Sequence, residues 1–186
     1  MSTKSVIHFY KPINPETVSA FCNITLNAIF NGKATELTIL ISSEGGDICS
    51  GFTAYSFIRN LPTPVTAINM GSVESMAVPF YLAADSRLAV KHARFMLHSF
   101  HWGFPAGTVD HPRLAEHTES LFFDRTRYAN IFNERTNACQ RGFDITEHLN
   151  NGFKILDTHE AVQIGITTSE SFPKDIISTE DLHFWL

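Results

Sequence analysis

The hydrophobic pattern of this sequence alternates between short apolar runs and longer segments in which apolar residues recur at helical spacing. A continuous run such as residues 37–41 (LTILI) is typical of a strand covered on both faces, as in a parallel sheet. Predicted strands and helices alternate along the first half of the chain, which favours an α/β fold with a mostly parallel sheet and right-handed crossovers. The predicted strands are residues 5–10, 37–41, 65–69, 87–90 and 94–97. The predicted helices are residues 15–30, 48–60, 77–84, 112–139 and 158–163.

Helix-capping residues support two of these boundaries. Asn14 precedes Pro15 and Glu16, which gives a capping side chain, a proline at the first helical position and an early acid. Asp157 is expected to cap the short helix near the C-terminus in the same way. Residues 99–110 carry two glycines and a proline, which predicts a loop or an irregular extended segment.

Composition sets the size and general character of the protein. The chain has 186 residues, of which 44% are hydrophobic, 16 are Phe and only 18% are charged. Soluble domains carry roughly 25% charged residues. This composition fits one domain with a substantial core. The shortage of charge indicates either apolar surface that other subunits cover or a core rich in Phe, and composition does not choose between them.

Several functional classes are disfavoured. The net charge of −5 argues against nucleic acid as the partner, because phosphate binding requires a basic face. No apolar stretch approaches the roughly 20 residues of a membrane span, and the N-terminus lacks the apolar core of a signal peptide. The three cysteines form no CxxC pair, so we expect reduced, buried thiols in a cytoplasmic protein. His92, His98 and His101 have no Cys or acid to complete a ligand set, so no metal or other cofactor is predicted.

Two junctions between a strand and a helix carry candidate chemistry, because ligands of α/β proteins bind where strands end and helices begin. Gly45 and Gly46 follow the 37–41 strand and allow the backbone to approach a ligand closely. Ser75 lies at the next junction, where the positive end of a helix stabilises a developing oxyanion. His98 follows the predicted strand 94–97 and is the candidate base that a serine nucleophile requires.

These features together resemble the proteolytic subunit of the Clp protease. That family has a Ser-Pro-Gly-Gly loop after a strand, then a Gly-x-x-x-Ser-Met turn, and this chain carries SEGG at residues 43–46 and GSVESM at residues 71–76. The family's histidine closes a strand that is similar to FMLH at residues 95–98. Residues 102–108 resemble the family's handle strand, residues 112–139 its handle helix, and HEAVQIGI at residues 159–166 its C-terminal motif.

The resemblance implies a single ClpP/crotonase-like domain over residues 1–186, built from repeated ββα units with a mostly parallel sheet. It implies a protruding handle region over about 99–140, with a handle helix and a short handle strand, and a tail over about 169–186. Ser75 would attack the peptide carbonyl, His98 would take its proton, and the backbone amides of Gly46 and Met76 would form the oxyanion hole. The substrate would be a peptide or an unfolded protein. The expected assembly is a homo-oligomeric ring, with a heptamer or stacked rings as candidates.

The sequence departs from the family pattern at three places. Glu44 replaces the loop proline, which puts an acid beside the oxyanion loop. The family's N-terminal axial loop has no counterpart before residue 5, which makes docking to an AAA+ ATPase doubtful. Phe153 stands at the position of the catalytic Asp. Asn150 or Asn151 could serve instead, or no residue at all, and Asn-Asn-Gly favours a turn.

The residues leave several functions open. The first is a serine endopeptidase of the Clp type. The second is a catalytically weak or inactive subunit of the same fold with a structural or regulatory role, which the missing acid favours. A third, less favoured one is a crotonase-like acyl-CoA enzyme, which would leave the Ser75–His98 pair unexplained. A fourth is a Ser/Lys peptidase, for which Lys91 is the nearest lysine, although it lies before the strand that carries His98.

Overall fold

A computed structural model describes residues 3–101, 103, 108–170, 178 and 181–186. The helices are α1 (Pro15–Phe30), α2 (Ile48–Arg59), α3 (Ala77–Leu82), α4 (His111–Arg135), α5 (Ile145–Asn151) and α6 (Thr158–Gln163), with a short 3₁₀ turn at Cys139–Arg141. The strands are β1 (Lys4–Phe9), β2 (Glu36–Ser43), β3 (Val65–Glu74), β4 (Ser86–Ala89), β5 (Arg94–His98), β6 (Phe153–Asp157), β7 (Ser169–Glu170) and β8 (Leu182–Trp185).

The sheet is mostly parallel, as the strand–helix alternation predicts. Its main path runs β6-β5-β3-β2-β1-β8, and β4 pairs with β3 and with β7. Only the β5–β6 pairing is antiparallel among the described strands. β3 is the pivot of this topology, because residues 66–69 pair with β4 whereas residues 72–74 pair with β5. The second half of β3 therefore carries β5 and β6 toward the end of the strand that leads to Ser75.

The core explains where much of the phenylalanine goes. Phe9, Phe21 and Phe80 join β1 to α1 and α3 in edge-to-face contacts, with ring centroids 4.8–5.8 Å apart. Such arrangements are the favourable ones for aromatic quadrupoles. Other aromatic rings face outward, among them Phe122 and Phe123 on α4. The core is therefore rich in Phe, as one interpretation of the composition predicts, and apolar surface also remains on α4; that other subunits cover this surface stays a prediction.

The predicted caps are confirmed. The Asn14 side chain accepts a hydrogen bond from the Thr17 amide, and Asp157 accepts one from the Glu160 amide. Each forms a reciprocal capping box, since the residue at the third helical position bonds back to the cap. These contacts begin α1 and α6 at the residues that the sequence predicts.

The C-terminal third contains elements that the hydrophobic pattern does not predict. The Asn-Asn-Gly segment was expected to form a turn, but Asn150 and Asn151 end α5 and Gly152 leaves it at φ 155°. β6 follows immediately, and residues 182–185 in the predicted tail form β8 along the edge of β1. The long helix stops at residue 135 rather than 139. The predicted handle strand at 102–108 lies outside the described residues except for 103 and 108.

Candidate active site

Ser75 occupies a sharp turn between the end of β3 and the start of α3. Its φ of +52° lies in the left-handed region, which costs a residue with a side chain of the order of 1–3 kcal/mol. Three hydrogen bonds hold this conformation. The Ser75 amide donates to the Met96 carbonyl at 2.9 Å, and its carbonyl accepts from the Val78 amide at 3.0 Å and from the buried Tyr128 hydroxyl at 3.2 Å. The strained conformation of Ser75 is therefore held by hydrogen bonds to the sheet, to α3 and to α4.

The glycine loop after β2 packs directly against this turn. Gly45 has a φ of +85°, and a Cβ atom added to it would lie 2.6 Å from the Glu74 carbonyl oxygen and 2.7 Å from the Ser75 Cβ. Real Cβ atoms do not approach other atoms so closely, so only glycine fits here. The structure therefore brings together the two strand–helix junctions that the sequence singles out.

The main-chain amides of Gly46 and Met76 lie beside the contact between the glycine loop and the Ser75 turn. Gly46 is bridged to Ile13, whose amide donates to the Gly45 carbonyl at 2.7 Å and whose carbonyl accepts from the Asp47 amide at 2.8 Å. These flanking bonds turn the amide of Gly46 itself away from Ile13. The Met76 nitrogen lies 2.9 Å from the Cβ position at Gly45. Neither amide donates to another group within the described part of the chain.

His98 ends β5, the strand that pairs with the second half of β3. Glu74 pairs with Met96, and the bond from the Ser75 amide to the Met96 carbonyl continues that pairing into the turn. The nucleophile candidate and the base candidate therefore leave neighbouring parallel strands at the same edge of the sheet. The His98 ring is half-buried, and its Nδ1 lies 2.7 Å from the Ser99 carbonyl oxygen.

Phe153 occupies the place opposite His98 in the antiparallel β5–β6 pairing. Its side chain is 68% exposed and offers no hydrogen-bond acceptor. Asn150, one of the two amide candidates, uses its Oδ1 to accept a hydrogen bond from Arg125. Asn151 closes α5, and its side chain lies outside the described residues.

A buried carboxylate that the sequence pattern does not single out lies beside Ser75. Glu74 immediately precedes Ser75 and is 5% exposed. Its Oε1 accepts a hydrogen bond from the Ser72 hydroxyl and lies 2.6 Å from Arg94 Nη2. Ser72 and Arg94 face each other in the β3–β5 register. The signal available in the sequence was an acid next to a candidate nucleophile, but its partner lies 20 residues away.

The remaining candidates lie away from this edge or lack partners. Lys91 is exposed in the turn before β5, at the opposite end of that strand from His98. No group of three or more His, Cys, Asp or Glu side chains that could hold a metal ion occurs among the described residues. Within the same part of the chain, no helix combines the length and the apolar character needed to cross a bilayer.

Comparison with known proteins points to one family. A family model for Clp protease matches residues 1–169. Two curated relatives carry the name ATP-dependent Clp protease proteolytic subunit 2. The one from Borreliella burgdorferi is 36% identical over 74 residues, covering 39% of this chain and 37% of that protein. The one from Treponema pallidum is 35% identical over 85 residues, covering 43% of each. The chain thus spans about two fifths of the length of these relatives.

Solved structures share the architecture over nearly the whole chain. A point mutant of ClpP1 from Listeria monocytogenes superimposes with a TM-score of 0.75 at 23% identity, covering 91% of this chain and 92% of that one. ClpP1 from the same organism gives a TM-score of 0.73 with the same identity and coverage. At this identity the likeness establishes the fold.

Proposed function

This chain belongs to the Clp protease family, and on that premise we propose that it is a serine-type peptidase with Ser75 as nucleophile and His98 as base. The observation that carries the proposal is the strained turn at Ser75. A residue with a side chain keeps a φ of +52° only where the surrounding structure enforces it, and such strain concentrates at functional sites. Here Gly45 packs against the turn at a distance that no other residue could occupy.

The proposed reaction follows from this arrangement. The Ser75 Oγ bonds to the carbonyl carbon of the peptide while its proton passes to Nε2 of His98. The carbonyl oxygen becomes an anion, which accepts hydrogen bonds from the amides of Gly46 and Met76. His98 then protonates the leaving amine as the C–N bond breaks, and water releases the acyl group by the reverse sequence.

The oxyanion hole is expected to provide a large share of the rate. Removal of one donor from such a hole costs about 10²–10³ in rate. Both donors in this site are main-chain amides, so a side-chain substitution cannot delete them. Their positions depend instead on the Gly45–Gly46 loop and on the first turn of α3, which ties catalysis to the packing of these two segments.

We also propose that the chain forms a ring-shaped homo-oligomer, acts on peptides or unfolded proteins and resides in the cytoplasm. Phe122 and Phe123 are exposed on α4, and Leu114 is exposed nearer to its N-terminus. Such residues are expected to be covered in a ring-shaped homo-oligomer that encloses the sites and acts on peptides or unfolded chains. The three cysteines are free, which suits a reducing cytoplasm, but Cys49 and Cys139 are exposed rather than buried as predicted. Sedimentation velocity should report a particle several times the 20.9 kDa chain mass, and a monomer would contradict the ring.

The decisive experiment uses a fluorophosphonate probe, which bonds covalently to activated serines. The wild-type chain should be labelled, and Ser75→Ala should not. Ser56→Ala is the matched control, since Ser56 is an exposed serine on α2 away from the site. Labelling that survives in Ser75→Ala would overturn the assignment of the nucleophile.

The alternative function is a non-catalytic or weakly catalytic subunit with a structural or regulatory role. One observation favours it, namely that Phe153 stands opposite His98 where a carboxylate is expected. An unlabelled wild-type chain that nevertheless assembles into a ring would support this alternative over the peptidase.

A further inference from the structure

The ring of His98 makes a hydrogen bond that the proposed mechanism has not used. Its Nδ1 lies 2.7 Å from the main-chain carbonyl oxygen of Ser99. A carbonyl oxygen has lone pairs and no proton, so it can only accept. Nδ1 must therefore carry the hydrogen, and in the neutral ring the lone pair is left on Nε2. That is the tautomer that a general base facing a serine hydroxyl requires.

The β6 side chain that faces His98, and that would otherwise be placed to accept the hydrogen bond from Nδ1, is apolar. Residues directly opposite each other on antiparallel strands project to the same face, with Cβ atoms about 4.5–5.5 Å apart. Phe153 is that residue for His98. A phenyl ring can neither accept the Nδ1 proton nor stabilise an imidazolium by charge at its edge.

The nearby acids are already engaged. Glu74 is held by Arg94 and Ser72. Asp157 faces Arg94 in the register, four residues along β5 from His98, which corresponds to about 13 Å. It also caps α6. Neither carboxylate is placed to take over the Nδ1 hydrogen bond.

The amide candidates offer no better partner among the side chains that the structure describes. The Oδ1 of Asn150 accepts from Arg125. The ring of His101 lies 5.4 Å from that of His98 between centroids, in a tilted arrangement. Among the described residues, the Ser99 carbonyl is the acceptor within hydrogen-bond distance of Nδ1, and the peptide that precedes this carbonyl is tied to the sheet. The Ser99 amide donates to the Gly152 carbonyl at 3.2 Å, which extends the β5–β6 pairing by one step.

We infer that the main-chain carbonyl of Ser99 takes the place of the triad carboxylate, so that it orients His98 and fixes its tautomer without supplying charge. The inference rests on the proposed peptidase function. When the Ser75 proton moves to Nε2, both ring nitrogens carry hydrogen, and Nδ1–H continues to donate to the carbonyl. A hydrogen bond to a charged acceptor is about twice as strong as one between neutral groups. The positioning is therefore retained, whereas much of the stabilisation of the imidazolium is lost.

The tautomer can be tested without any turnover. The full chain is labelled with ¹⁵N-histidine, and the His98 signals are identified by their loss in His98→Gln. At alkaline pH, where the imidazole is neutral, we expect a protonated, pyrrole-type Nδ1 and an unprotonated, pyridine-type Nε2. A ring protonated on Nε2, or one exchanging between both tautomers, would overturn the inference.

The missing charge is tested by Phe153→Asp, with Phe153→Asn as the matched control of equal size and no charge. Position 153 is exposed, so both variants should fold, which circular dichroism and thermal unfolding will verify. The Asp variant should label with the fluorophosphonate about tenfold faster than wild type, as expected for a charge-assisted bond. The Asn variant should stay within about twofold of wild type, because a neutral amide adds no charge. A folded Asp variant that labels no faster than wild type would count against the inference.

The role of Ser75 and the role of the Ser99 carbonyl can be disproved separately. If Ser75 remains unlabelled in the wild type and in both Phe153 variants, the peptidase proposal is wrong, whatever the tautomer of His98. If Ser75 is labelled but His98 carries its proton on Nε2, the peptidase proposal stands and the role of the Ser99 carbonyl is wrong.

Discussion

Gly45 provides the sharpest test of how the packing of the site controls its chemistry. In Gly45→Ala, the new Cβ would lie 2.6 Å from the Glu74 carbonyl oxygen, 2.7 Å from the Ser75 Cβ and 2.9 Å from the Met76 nitrogen. Ordinary van der Waals contact begins at about 3.4 Å, so the loop and the turn must separate by about 0.8 Å to relieve the shortest of these contacts. All three crowded atoms belong to the segment that carries the proposed nucleophile and one proposed oxyanion donor.

The expected loss of rate follows from this displacement. A misplacement of about 1 Å can cost about 10²-fold in rate, because the reacting atoms leave their alignment. We therefore expect fluorophosphonate labelling of Ser75 and hydrolysis of a fluorogenic peptide to fall by about 10-fold to 10²-fold. The positive φ of 85° adds a separate cost in stability of about 1–2 kcal/mol, which any residue with a side chain would incur there.

Gly142→Ala separates the two effects. Gly142 has a similar φ of +74°, but a Cβ there would meet nothing within 4 Å. Its variant should lose comparable conformational stability, about 2–4 °C in Tm per kcal/mol for a chain of this size, and keep wild-type labelling. Equal labelling of Ser75 in Gly45→Ala and Gly142→Ala would show that the contact between Gly45 and the Ser75 turn does not control the reactivity of Ser75.

Two further predictions concern groups outside the reacting atoms. Tyr128→Phe removes the hydrogen bond to the Ser75 carbonyl, and because the hydroxyl is buried we expect a loss of about 1 kcal/mol, seen as a lower Tm, with slower labelling of Ser75. Burial, together with the neighbouring His183, lowers the pKa of His8 below its ordinary value of 6.5. The unfolded chain therefore protonates His8 more readily than the folded chain does. The neutral His8 ring contributes to the free energy of unfolding above pH 6.5, and this contribution is lost as the pH falls through the lowered pKa. The drop in Tm on acidification should be smaller in His8→Gln, and an equal drop would contradict the assignment.

Much of the first hundred residues could be predicted because local signals and tertiary structure agree there, although β3 runs to Glu74 rather than ending at residue 69 as predicted. The runs that form β1 and β2 are buried on both faces, and Asn14 caps α1 as its side chain suggests. β6 could not be predicted in this way. The odd-numbered residues of β6 are exposed, and two of them, Phe153 and Ile155, are apolar. Apolar and polar residues therefore do not alternate with the buried and exposed faces of this strand. Likewise, β8 forms only because β1 offers it an edge, which is a long-range property.

The candidate site divides in the same way. The positions of Ser75, the glycine loop and His98 follow from strand order, since parallel strands bring their carboxyl ends to one edge. The support beneath them was not visible in the sequence. Glu74 meets Arg94 across the β3–β5 register, and Tyr128 reaches Ser75 from a helix 53 residues further along the chain. Such contacts depend on register and helix packing rather than on any local motif.

Folding constrains the Ser75 turn strongly and position 153 only weakly, and this difference affects how the activity of the site could vary. The φ of Ser75 and the fit of Gly45 are fixed by packing that the fold itself needs, so the nucleophile turn cannot change without a cost in stability. Position 153 lies on an edge strand with an exposed side chain, so folding places little demand on it. A carboxylate could be lost there without unfolding the protein, and on our proposal the Ser99 carbonyl would still hold His98 in the tautomer that a base requires. The expected result is a site whose strength is set by one exposed residue while its geometry persists.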